Sequence, residues 1–126
     1  MTWYAAHIII AFRTERKDGA PILVHENVIL IEAPNEDEAM EKAKAAGEFQ
    51  VQPDASEGLR IGNRAARVEF IGVRKLISVS NPSPLSQDRD RPVDGTEVTY
   101  SCFELADEEA LMRLSNGDDV TLRYVE

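Results

Sequence analysis

Along residues 22–30 every second position is apolar, Ile22, Val24, Val28 and Leu30, except that Glu26 occupies the middle of the row. Period-two patterning predicts a strand with these side chains on one face, so that face carries a lone carboxylate among branched residues. A carboxylate withdrawn from water needs a partner or a proton. Residues 3–12 are apolar on both parities, Trp3, Ala5, Ile9 and Ala11 on one, Tyr4, Ala6, Ile8, Ile10 and Phe12 on the other. That pattern predicts a strand covered on both faces. The polar stretch 13–20, containing Asp18-Gly19, turns the chain, and the strand at 22–33 completes a β-hairpin.

Pro34 closes the second strand, and Asn35 with Glu38 three residues on forms a capping box for a helix over 36–46, stopped by Gly47. Its inward stripe, Ala39, Met40, Ala43 and Ala46, is mostly small and lets the axis lie close to a sheet. A polar loop follows over 48–63, with Pro53, Gly58 and Gly62, entering a short strand near 59–61. Residues 67–79 are branched and aromatic and read as a strand, with Gly72 a candidate bulge where the facing parity switches. The proline-bearing stretch 81–95 reads as a surface loop. A strand over 97–104, a helix over 108–114 capped by Asp107 and stopped by Asn116-Gly117, and a strand over 120–125 complete the chain. The predicted order is β-β-α-β-β-α-β. Consecutive antiparallel strands with interspersed helices on one face predict an α+β fold with a mainly antiparallel sheet.

At 126 residues the chain suits one domain, 1–126. Lys plus Arg total 14 against 23 Asp plus Glu, and the formal charge of -9 repels phosphate backbones and anionic membrane surfaces alike. Neither nucleic acid nor membrane is an expected partner. Residues 1–12 lack the positive flank of a signal peptide, and the single cysteine, Cys102, suits a reducing compartment, so the cytoplasm is expected. Cys102 lies in the alternation Val98, Tyr100, Cys102 and is predicted to be a buried core thiol.

His7 interrupts the odd positions of the first strand as Glu26 interrupts the second. If the hairpin pairs these parities, both side chains share a face. An eight-residue loop sets them directly opposite, whereas a tight turn at Asp18-Gly19 separates them by four residues. The chemical reading is a His7–Glu26 pair able to move a proton near neutral pH, joined by Asn27, Glu97 or Tyr100. The competing and favoured reading is a buried polar group satisfied by its neighbours. His25 and Glu26 are adjacent on a strand and point to opposite faces, and two histidines with one distant cysteine make no zinc set, so no metal and no cofactor are expected. Ser101 has no nucleophile elbow, and Gly58 and Gly62 lack the strand-then-helix setting of a phosphate loop.

Three stretches carry a family resemblance: Trp3-Tyr4-Ala5-Ala6; residues 26–33 running into Glu38-Ala39 and Lys42-Ala43; and residues 68–77 followed by Asp94-Gly95-Thr96-Glu97-Val98-Thr99-Tyr100-Ser101. In order and spacing the chain resembles a family of small bacterial proteins classed as domain of unknown function 4288. The resemblance covers about 3–104, leaving 105–126 as a C-terminal helix-strand addition. It implies a small cytoplasmic α+β protein and brings no activity, substrate or catalytic residue. His7 stands where the resemblance implies lysine or a serine-lysine pattern.

Surplus apolar strand surface without a convergent catalytic set predicts a non-catalytic protein-interaction module, dimeric about a two-fold axis. One version is an acidic inhibitor of a basic protein, of the immunity type, its association steered by charge. The alternative is a small-molecule binder or enzyme built on His7 and Glu26, which requires a pocket opening onto them.

Overall fold

A computed structural model of the chain describes residues 1–14, 21–51, 60–61, 64–82 and 91–125. The elements are β1 (Thr2–Thr14), β2 (Leu23–Ala33), α1 (Glu36–Gln50), β3 (Arg60–Ile61), β4 (Arg64–Ser78), β5 (Phe103–Glu104), α2 (Glu108–Asn116) and β6 (Arg123–Tyr124). The main sheet has the order β2-β1-β4-β3 with antiparallel neighbours, and β5 and β6 form a separate antiparallel pair. The fold is α+β.

β1 lies between two long strands and is buried on both faces, and the second of these accounts for its apolar character on both parities. Its even residues Tyr4, Ala6, Ile8 and Ile10 join Ile31 and Ala33 of β2 and Ala39 and Ala43 of α1 in one core. Its odd residues Ala5, His7 and Ala11 are buried on the other face.

α1 starts where its cap predicts: the Asn35 side-chain Oδ1 accepts from the Glu38 amide at 2.9 Å. It does not stop at Gly47. The helix runs on to Gln50, and Gly47 is buried inside it, in line with Ala39 and Ala43. A methyl group at Gly47 would lie 2.4–2.9 Å from the Phe70 ring of β4, so this glycine serves close approach of helix to sheet rather than termination.

β4 departs from strict alternation. Val68, Phe70, Val73 and Leu76 all pack toward α1, at intervals of two, three and three residues. The register shifts once between His7 and Ile8, leaving Arg74 as the extra residue, and again between Ile9 and Ile10, leaving Ile71 extra. Each insertion lets a three-residue step return to the same face, with Gly72 paired to Ile9 between them.

The strand predicted over 97–104 is mostly absent. Glu97 makes an isolated bridge to Ser80, residues 98–102 run without a ladder, and only Phe103 and Glu104 pair as strand. Because this segment enters no sheet, Tyr100 and Cys102 are exposed, correcting the expectation of a buried thiol. α2 is capped as predicted, Asp107 accepting from the Ala110 amide at 2.8 Å and Gly117 adopting a left-handed φ of 80°. None of its residues is buried, so the buried helix layer on the main sheet is α1. β3 agrees with the short strand expected near 59–61. Gly58, Gly62, Pro53 and the Asp18-Gly19 turn lie outside the described residues.

Candidate functional site

His7 is the one buried polar or charged residue among those described outside the apolar core, 2% exposed at the centre of β1. The hairpin register pairs Ile9 with Glu26 and His7 with Val28, so His7 and Glu26 are diagonal neighbours. That register lies between the two loop closures considered from sequence. Parity is preserved, and the two side chains share the face away from α1.

Glu26 reaches across β1. The Arg74 fork grips it from β4, Nε donating to Oε2 and Nη2 to Oε1, each at 2.9 Å. The inserted residue at Arg74 brings this guanidinium to the face of the sheet that its neighbour Lys75 shares with His7. The imidazole Nδ1 hydrogen-bonds Glu26 Oε1. A carboxylate only accepts, so Nδ1 carries the hydrogen; in the neutral ring Nε2 then accepts from the Thr99 hydroxyl, 2.6 Å away. The hydrogen bond from Arg74 foremost, with that from His7, holds the Glu26 carboxyl below its ordinary value of 4.5 against the opposing effect of burial.

Two adjacent cations of β4 also fasten the C-terminal segment. The Lys75 ammonium donates to the Tyr100 carbonyl and lies 4.7 Å from the centre of the Tyr100 ring; the Arg74 guanidinium lies 5.1 Å from that of Tyr124. The polar cluster therefore joins three strands to a segment about 92 residues away in sequence from His7.

Of the residues singled out from sequence, His7 and Glu26 meet, and Tyr100 adjoins them through Lys75. Asn27 does not join: it points to the α1 face, its Nδ2 donating to Gln50 Oε1 at 3.3 Å. Glu97 is exposed and pairs with Ser80 through its backbone. His25 lies on the α1 side too, edge-on to Phe12 with ring centres 4.6 Å apart. Arg74, Lys75 and Thr99 were missed. The adjacent basic pair inside an apolar strand was the available signal for the first two; Thr99 had none.

The order carboxylate, imidazole, hydroxyl is that of an acyl-transfer relay, but a relay needs a substrate-accessible hydroxyl and donors for an oxyanion. A cavity of about 430 Å³ lined by Lys75, Leu76, Ile77, Tyr100, Cys102 and Val125, and another of about 520 Å³ beside α2, are lined by neither His7 nor Glu26. Every buried side-chain polar atom among the described residues has a partner. No group of three or more His, Cys, Asp or Glu among them could hold a metal ion.

β2 forms one edge of the main sheet. On the His7 face it exposes Val24, Val28 and Leu30, with Ile22 just before the strand, all between 41% and 47% accessible. At its far end Lys42 of α1 donates to the Glu32 carbonyl at 2.6 Å.

A family model described as Domain of unknown function (DUF4288) matches residues 3–98. No curated protein and no solved structure matches the sequence.

Proposed function

The chain belongs to the DUF4288 family, which brings no activity with it, and from that premise we propose that it is a non-catalytic protein-interaction module binding through the β2 edge. One observation carries the reading: a long edge strand leaves a row of branched side chains in water. Soluble domains normally protect such an edge with charge, proline, a bulge or a cover, because its backbone is a template for another strand. Here, among the described residues, Lys42 occupies the Glu32 end. Strand addition supplies backbone hydrogen bonds for affinity and alternate side chains for selectivity, the mode this edge suits.

The internally satisfied polar cluster supports the same reading. At 2% exposure His7 has no route to a substrate, and its hydrogen bonds rigidify the sheet beside the proposed binding edge. The single cysteine is consistent with a cytoplasmic setting. Among the described residues no helix is long and apolar enough to cross a membrane. An inhibitor of a basic protein, the other version of this reading, would use the acidic first turn of α1, Glu36, Asp37 and Glu38, and its complex would weaken with salt.

A second reading, catalysis by His7 and Glu26, is favoured by the order of the Glu26, His7 and Thr99 contacts alone.

Photo-crosslinking in the host cell tests the module. A benzoylphenylalanine residue replacing Val28 is expected to give protein adducts at native expression, and one replacing exposed Lys44 on α1 is not. No adduct at position 28 would remove the interaction reading.

A further inference from the structure

We infer that the β2 edge binds a second copy of this chain, the two β2 strands running antiparallel about a two-fold axis at Glu26 and joining two four-stranded sheets into one. This rests on the interaction reading above and names its partner.

The strand is complementary to itself in that register. Pairing about Glu26 sets Ile22 against the partner's Leu30, and Val24 against the partner's Val28, so each of the four exposed branched side chains on this face meets another apolar one. Shifting the centre to Asn27 puts Glu26 against the partner's Val28, and shifting it to Val28 puts Glu26 against the partner's Leu30 and Val24 against the partner's Glu32. Both leave branched side chains facing carboxylates. The register about Glu26 also ends at Leu30, short of the Glu32 carbonyl that Lys42 already occupies. The covered stretch is therefore the stretch the fold leaves unprotected.

Charge fits as well. The chain carries a formal charge of -9, which opposes self-association over most of its surface. From residue 21 to residue 31 the ionisable side chains are His25, which faces α1, and Glu26. Glu26 is the residue that would meet its own copy, and its carboxylate is already held by Arg74 and His7. The edge is thus a locally neutral strip on an acidic molecule, which suits another neutral, branched strand and gives a strongly basic partner little to grip. A two-fold axis normal to the sheet keeps both copies of α1 on one face of the joined sheet.

The test uses the full-length chain. Sedimentation equilibrium at micromolar concentration is expected to give twice the 14.0 kDa chain mass for wild type and a two-fold lower mass for Val28→Lys, with unchanged circular dichroism. In a Cys102→Ser background, the double variant Val24→Cys/Val28→Cys is expected to oxidise to a covalent dimer, and Lys44→Cys is not. A wild-type mass of one chain overturns the inference, and so does a dimer that survives Val28→Lys. If crosslinking at position 28 yields only other proteins, the self-pairing falls and the interaction reading stands. If the chain is monomeric and gives no adduct, both fall.

Discussion

Glu26 is an acid in an apolar row because two other strands supply what it needs: a guanidinium fork from β4 and an imidazole from β1. Its carboxyl is depressed below 4.5, so the ionised form stabilises the fold at every pH above the unfolded value, and this stabilisation is lost as pH falls through the lower folded value. Urea melts of Glu26→Gln should show a loss of about 1–2 kcal/mol at pH 7, as for a hydrogen-bonded charge that is partly solvated, and a flatter stability profile below pH 5. Equal slopes in the acid limb would contradict the assigned role. In Arg74→Met, the Glu26 carboxyl should titrate at higher pH by carbon NMR; an unmoved titration would mean that Arg74 does not hold it. Thr99→Val removes the partner of His7 Nε2 and should cost about 1–3 kcal/mol, the range for stranding a buried polar group. A loss below about 0.5 kcal/mol would show that Thr99 is dispensable.

Among the elements, α1 and β4 are positioned by an unusually close contact. Gly47→Ala gains helix propensity of about 1 kcal/mol but drives a methyl group into the Phe70 ring. We expect net destabilisation of about 1–3 kcal/mol, as for other overpacked cores, read by thermal unfolding. A rise in melting temperature would contradict it. The N-terminal cap was legible from Asn35 and Glu38, but the glycine was not: its rank as a helix breaker suggested a terminus, and only the facing Phe70 shows why it lies inside. β4 illustrates the same limit. Gly72 marked the place of irregularity, yet the two inserted residues, Arg74 and Ile71, depend on pairing with β1 that no local pattern encodes. Conversely, the alternation Val98, Tyr100, Cys102 looked like a strand and forms no ladder, because period two specifies a strand only where backbone partners exist.

For the molecule as a whole, the doubly covered β1 and the antiparallel α+β class followed directly from apolar parity. The shared face of His7 and Glu26 followed too, since strands alternate whatever the loop between them. Their diagonal offset did not, because loop length alone left the register open, and Thr99 is brought in by tertiary contacts far along the chain. The site that emerges is a brace: it ties β2, β1 and β4 to the C-terminal segment, and it lies beside the edge whose exposed row remains to be covered. The central claim is that another strand covers that row. Hydrogen exchange of the β2 amides over residues 22–30, followed across a hundredfold range of protein concentration, tests it most directly. The account predicts protection that rises with concentration in wild type and is abolished by Val28→Lys; fast exchange of the outward amides at every concentration would contradict it.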